Sequence, residues 1–589
     1  MRERWPSRLV VLAAAIVYAA TAARTVVGGD NGEFAALAAA GGVAHPPGYP
    51  LYVLYLRMAR WIPARSPAHA AALATAILGV LAVVALQRAC RAWGASREAA
   101  AVASAAFAFS WPAWTLATHA DVLMLNALLA LAIVALCAPS PGAAGGRRVF
   151  VLGLLAGLGL SDHHSIIALA PLGLWAAVSA ARASPRPLAA AALGVAGLAL
   201  GLTPYAYLLI EARSPDLAST WRWGHAETLH GLVRHFLRAD YGTTELALGR
   251  SGRAPREQLA ALARALLGGM AGFPLAALAG GALALVRQPR ARGRGHVIAL
   301  VLSFVLAGPA FVAWLNVPLA GLGQPVVDKF YLLPAALVAV LSALGLDALA
   351  PALRARPLRG GALAALLGAV AAACAAPRVR ETNRPEVETY ARDVLRLAAP
   401  GAIVLGGGDH RFHAFLYARY ALHERPDVVF IDASLMLTDW YPPIVSRLLG
   451  FPVEGGRVAP GHDRPSLDAV ALVSALARSG RPVYVTDWFA GGLDTRIPTF
   501  PVGPLMVVAA AADVPPPDRL LALNLAAERR MAPADGAPES AGTWQGDLAN
   551  DYARPWVTLA RAFRLAGRDE LARACLERAR VRAPWTPDS

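Results

Sequence analysis

Apolar stretches of roughly bilayer-spanning length recur along the first two thirds of this chain, and the gaps between them alternate in character. The runs fall at residues 9–27, 68–90, 99–114, 122–137, 150–160, 166–181, 188–210, 265–286, 297–315, 331–349 and 361–376. About 20 apolar residues in a helix cross the hydrocarbon core, so all but the short 150–160 run are close to spanning length. With 57% hydrophobic residues among 589, the chain is too apolar to bury these runs in one soluble core. The pattern predicts a polytopic α-helical membrane protein of about 11 transmembrane helices.

Arginine sets the expected orientation. Arg2, Arg4 and Arg8 precede the first run, and every second gap is basic: Arg88, Arg91 and Arg97; Arg147 and Arg148; Arg182 and Arg186; Arg287, Arg290, Arg292 and Arg294; Arg354, Arg356 and Arg359. The positive-inside rule makes those gaps cytoplasmic, and the alternation fits all eleven runs without a phase error. The N-terminus then faces the cytoplasm, with the first run kept as an uncleaved span. Residues 28–66, the 161–165 turn, 211–264 and everything after 376 face outward. Topology also accounts for much of the net charge of +16, which gives no reason to invoke nucleic acid as a partner. The four cysteines are far apart and form neither a metal-ligand spacing nor a disulfide framework.

The chemistry concentrates in the first outward gap, within Gly28–Pro50. Asp30 and Glu33 are three residues apart and share a face if a helix begins there. They form either a capping box, with Asp30 at the N-cap and Glu33 reaching back, or a compact acidic site. His45-Pro46-Pro47-Gly48-Tyr49-Pro50 is a stiff shelf, because proline fixes φ and extends the residue before it. The shelf either leads into the next helix or holds His45 and Tyr49 towards the acidic pair.

Later outward segments carry fewer signals. Trp221-Arg222-Trp223-Gly224 followed by an amphipathic 229–238 stretch reads as an interfacial belt or as a lid that stacks on sugar or binds phosphate. Lys329, the only lysine in the chain, either snorkels to headgroups or partners a lipid-linked phosphate. Past residue 376 the apolar density drops. Residues 402–405, 427–431 and 482–486 read as strands and 410–422 as a helix, an α/β domain whose Gly406-Gly407-Gly408-Asp409 turn is structural more readily than phosphate-binding. Two helical patterns around Gly567 form a hairpin like a single tetratricopeptide unit. The expected division is 1–377 in the membrane, with its functional loop at 28–66, then 378–535 as the extracytoplasmic α/β domain and 545–589 as the hairpin.

The acidic pair followed by HPPGYP resembles the bacterial membrane proteins known by a DUF2723 domain, whose animal relatives are transmembrane protein O-mannosyltransferases of the endoplasmic reticulum. The likeness extends through Thr118-His119-Ala120-Asp121 with Asn126, Ser161-Asp162-His163-His164, Pro204-Tyr205, Trp223-Gly224 and Lys329-Phe330-Tyr331. It continues into Gly408-Asp409, Arg425-Pro426-Asp427-Val428 and Trp440-Tyr441. Asp121 stands where that family more often has glutamate, Asp162 where asparagine is common and Lys329 where arginine is usual.

The resemblance implies a GT-C-like glycosyltransferase in the bacterial inner membrane, using a polyprenyl-phosphate-linked sugar as co-substrate and no cofactor. The acceptor is a hydroxyl on protein, lipid or glycan. Asp30 and Glu33 are the expected catalytic residues. His45, Tyr49, His119, Asp121, Asn126, Asp162, His163, His164, Trp223, Lys329 and Tyr331 are the expected substrate-binding set. Asp30 is expected to accept the acceptor proton with a carboxyl raised by burial and by its acidic neighbour. His45, His119, His163 and His164 are expected to hydrogen bond rather than hold a metal. A transporter or flippase, or a non-catalytic membrane scaffold, are the competing classes.

Overall fold

The computed structural model describes residues 5–139, 145–214, 220–243, 254–278, 293–350, 357–458, 465–486, 489, 493, 496–533, 536–538 and 540–587. Six described helices or helix runs are long and apolar enough to cross a membrane: Pro67–Ala92, His164–Arg182, Pro187–Ala212, Arg294–Leu315, Gly323–Leu349 and Arg359–Leu397. Arg97–Ala108 and Trp111–Ala117 make a seventh if their 66° bend is counted as one broken span, whereas the sequence predicts one straight run at 99–114. Pro112, in the first turn of the second helix, cannot donate to the ladder and clashes with the preceding turn, so the helix restarts there. Trp5–Thr21 and Leu123–Leu136 are shorter apolar helices. The predicted 265–286 run, together with Arg287, Arg290, Arg292, Arg354 and Arg356, lies partly or wholly outside the described residues.

The short run predicted at 150–160 is the core of a longer helix, Gly146–Asp162. It is seamed to Pro187–Gly201 by glycine. A Cβ on Gly153 would fall 2.0 Å from the Gly194 carbonyl oxygen, one on Gly197 2.2 Å from that of Phe150, and one on Gly201 2.4 Å from that of Leu154. In lipid there is little hydrophobic force between helices, so this backbone approach supplies the dispersion contacts that hold them. The helices at the centre are alanine-rich for the same reason: every residue of Arg97–Ala108 after Arg97 is buried.

Beyond the membrane helices, a five-stranded sheet runs in the order Val429–Asp432, Ile403–Gly406, Val483–Val485, Leu505–Val508, Thr499–Val502. The first three strands are parallel, and the last two form an antiparallel hairpin that sequence reading did not anticipate. The helix Asp409–Tyr420 follows the glycine turn, and Glu386–Leu397 packs beside it. Trp544–Leu565 and Asp569–Arg582 form a hairpin about Gly567, with Pro517–Arg530 against the first of them.

Close backbone approaches at Gly42 and Gly32 help tie the first gap to later segments. Gly42–Val43 pairs in parallel with Trp221–Arg222, and the Trp223 N–H donates to the Val43 carbonyl at 3.2 Å. Gly42 has φ +119°, and a Cβ there would lie 2.0 Å from the Trp221 oxygen, so only glycine fits. The helix Asn31–Ala40 lies along Asp409–Tyr420, where a Cβ on Gly32 would meet the His413 carbonyl oxygen at 2.5 Å.

Candidate active site

Asp30 holds the N-cap position of Asn31–Ala40, but its side chain makes no cap bond. Instead Asp30 Oδ2 accepts from Lys329 Nζ at 2.7 Å. Glu33, fully buried, does not reach back to the helix start: its Oε2 lies 2.5 Å from His45 Nδ1 and its Oε1 accepts the His45 N–H at 2.9 Å. The capping-box reading therefore fails, because both carboxylates find charged or chargeable partners whose attraction is stronger in this water-poor site than a backbone cap.

The shelf does hold its side chains inward. Tyr49 OH lies 3.0 Å from His45 Nε2, giving a chain Glu33–His45–Tyr49. Tyr49 takes a left-handed backbone (φ 45°, ψ 43°), and its ring stacks on His163 at 5.7 Å and 9°. Trp223 stands 5.9 Å from the His45 ring, within an aromatic cluster that includes Trp221, Trp440 and Tyr441.

The remaining predicted residues divide. Asn126 donates to the His163 carbonyl at 3.0 Å and accepts from Ser165 Oγ at 2.9 Å, fixing the turn that presents His163, whose Nδ1 lies 2.9 Å from that same Ser165 hydroxyl. Asp162 is fully buried. Asp121 accepts the Leu123 N–H at 2.8 Å and His119 is buried just before it. Two side chains turn elsewhere: the His164 ring meets Phe236 edge-on at 4.8 Å, and Tyr331 packs on Trp111 at 6.0 Å.

The electrostatics contradict one expectation. Burial alone pushes the Asp30 carboxyl up, but the Lys329 ammonium, with His45 and His413, outweighs it and holds the group below the ordinary carboxylate range. Glu33 is likewise lowered, its burial offset by His45, and His45 is raised by Glu33 and Asp30 against its own burial. The carboxyl pushed up is Asp121, to about 6, by burial. Burial and Lys329 lower His119 to about 4. Among the described residues, no three His, Cys, Asp or Glu side chains converge as a metal-ligand set.

Sequence reasoning missed a wall on the far side of the pair. His413 Nδ1 is 3.0 Å from the Gly29 carbonyl oxygen, and its ring stacks near that of His45 at 6.3 Å. Trp544 covers Gly28, where a Cβ would fall 2.0 Å from the indole Cδ1 and Cγ. His410 and His413 lie three apart on a predicted helix, which was the available hint of an inward-facing polar edge.

Comparison with known proteins bears on this geometry. The family described as Protein O-mannosyl-transferase TMEM260 N-terminal domain matches residues 30–185, beginning at Asp30 and including every site residue up to His164. Protein O-mannosyl-transferase TMEM260 of Mus musculus is 29% identical over 457 residues, covering 75% of this chain and 64% of the mouse protein. The Dictyostelium discoideum protein of that name is 25% identical over 261 residues, covering 41% of this chain and 32% of the relative. The chain thus spans less than two thirds of the length of either relative. Among solved structures, ArnT from Cupriavidus metallidurans bound to undecaprenyl phosphate superposes with a TM-score of 0.53 at 15% identity, covering 86% of this chain and 98% of that one. Its apo form gives 0.52. The chain is therefore a multi-pass membrane protein of GT-C fold, similar in sequence to TMEM260-type O-mannosyl-transferases and in architecture to ArnT.

Proposed function

We propose that the chain is a membrane glycosyltransferase, moving a sugar from a polyprenyl-phosphate-linked donor to a hydroxyl acceptor on the extracytoplasmic face with inversion at the anomeric carbon. The observation that carries this reading is the half-buried Asp30–Lys329 pair, an acid and the chain's only lysine held 2.7 Å apart at the membrane edge. The names of the relatives and the polyprenyl phosphate bound by the protein of like fold support it.

A donor phosphate competes with Asp30 for the Lys329 ammonium. As it does so, Asp30 loses the partner that holds its carboxyl low, and burial raises its basicity where the acceptor must be deprotonated. The acceptor oxygen bonds to the anomeric carbon, its proton passes to Asp30, and the bond from that carbon to the phosphate oxygen breaks. Lys329 then offsets the charge left on the lipid phosphate. Glu33 orients His45, and His45 with Tyr49 lines the approach to the reacting carbon. Asp121, with a carboxyl near 6, stands by as a second proton carrier, while Trp223 and His163 offer faces for the sugar.

This reading sets the chain in the bacterial inner membrane, and the arginine alternation orients it with the N-terminus inside and residues 378–535 and 545–589 outside. The test is transfer of labelled sugar from a panel of polyprenyl-phosphate donors by the wild-type chain and by Asp30→Asn, matched for folded protein. Label moved by the wild type and lost in the variant supports the assignment. Equal signals from both would remove Asp30 from catalysis.

A further inference from the structure

The turn that carries Asp30 is held from the far end of the chain. Three contacts converge on Gly28, Gly29 and Gly32, and a fourth joins their sources. The Trp544 indole fills the space above Gly28 so closely that a single added methyl would lie 2.0 Å from Cγ and 2.5 Å from Cβ, atoms near the backbone that cannot swing aside. His413 Nδ1 donates to the Gly29 carbonyl at 3.0 Å. The His413 backbone oxygen abuts Gly32. His410 and Trp544 lie with ring centroids 5.1 Å apart, joining the two holders to each other.

The wall is itself fastened by buried charge. Arg411 gives Nε and Nη2 to Asp551 Oδ2 at 3.0 and 2.9 Å and Nη1 to Asp547 at 2.5 Å, while His410 Nε2 lies 3.0 Å from that same Asp547 oxygen. Asp547 and Asp551 are one turn apart on Trp544–Leu565, so the fork of one buried guanidinium fixes the helix that presents Trp544. A helical hairpin whose only task was to extend the soluble part would not need its first residue against the loop that bears the acid.

We infer that the C-terminal helical hairpin, with the Asp409–Tyr420 helix it fastens through Arg411, is a positioning element for the reaction: Trp544 of the hairpin on Gly28 and His413 of that helix on Gly29 together set the direction of the Asp30 carboxylate. This rests on the glycosyl-transfer reading. His413 and Trp544 are positioning residues, since they act through the Gly28–Gly29 backbone. Loss of the wall leaves donor binding in place and misaims the base, and a misplacement of about 1 Å costs on the order of 100-fold in rate.

The test uses the full chain in lipid nanodiscs and two independent readouts, amide hydrogen exchange of the 26–36 segment and kcat and KM for sugar transfer. Trp544→Gly is expected to raise exchange in 26–36 at least tenfold while the Pro67–Ala92 helix is unchanged, and to lower kcat by roughly tenfold or more with donor KM within about twofold. Gly28→Ala, which keeps Trp544 and inserts the clashing methyl, is expected to do the same. The double variant should be no worse than Trp544→Gly alone, because removing the indole relieves the clash; independent effects would multiply. His413→Asn, which keeps a donor for the Gly29 carbonyl, should recover most of the rate lost in His413→Ala. Unchanged exchange in Trp544→Gly, multiplying losses in the double variant, or raised exchange with an unchanged kcat would each overturn the inference. If the wild type moves no sugar at all while exchange rises as expected, the coupling stands and the glycosyl-transfer reading falls.

Discussion

Glu33 grips His45 at two points, the ring Nδ1 at 2.5 Å and the backbone N–H at 2.9 Å. The pair predicts a stability profile with two shoulders. His45 is held above its ordinary 6.5, so its contribution is complete below that pH and is lost as pH rises through the folded value. Glu33 is held below its ordinary 4.5, so its contribution is present above that pH and is lost as pH falls through the folded value. Thermal unfolding followed from pH 4 to 9 should therefore show a plateau between the two ordinary values. His45→Gln should lower stability by about 3 kcal/mol on the plateau and by less on the alkaline side, where the wild type has lost the pair.

Lys329→Met leaves Asp30 charged and unpartnered at the membrane edge. The variant should unfold at lower temperature than wild type, and Asp30→Asn/Lys329→Met should recover part of the loss, with a coupling of about 1–3 kcal/mol. Transfer should stay at least about 100-fold down in both. A double variant no more stable than Lys329→Met would show that the ion pair contributes nothing to the fold.

Gly42→Ala should open the short pairing between the first gap and the tryptophan loop, since the new methyl falls on the Trp221 carbonyl. Faster amide exchange at Trp223, whose N–H now donates to Val43, is the signature to look for. An unchanged rate would mean the loop is held by its aromatic contacts alone.

The glycine seam offers a control away from the site. Gly153→Leu should lower thermal stability by about 1–3 kcal/mol by forcing the Gly146–Asp162 and Pro187–Gly201 helices apart. Donor KM should move little, because Gly153 lies more than two turns before Asp162 and His163 on its helix and Asp30 and Lys329 lie on other segments.

What was legible in the sequence was local. The acidic pair and the proline shelf lie within 20 residues of each other, and of the two readings the stiff shelf allowed, a lead into the next helix or a hold on His45 and Tyr49 towards the acidic pair, the side chains take the second. Strands at Ile403–Gly406, Val429–Asp432 and Val483–Val485 fall where β-branched runs end in glycine or aspartate. What was not legible depends on distant partners. Asp30 was expected to gain basicity from Glu33, but Lys329, 299 positions away, reverses the sign. His413 meets Gly29 across 384 positions, and no spacing rule reaches that far. The bend at Ser110-Trp111-Pro112 was readable, since proline there forbids the straight run predicted through it.

The reach of those contacts also has a consequence in time. A chain made from its N-terminus inserts the Asp30 loop early, yet Lys329, His413 and Trp544 emerge only as synthesis proceeds through the last membrane helices, the sheet and the hairpin. Until the ribosome has passed Lys329 the acid is a loop carboxylate with no ammonium partner, and until it has passed Trp544 the wall behind it is incomplete. The nascent chain thus carries the Asp30 loop outward before its surroundings are assembled, and the wall closes only when the last helices dock.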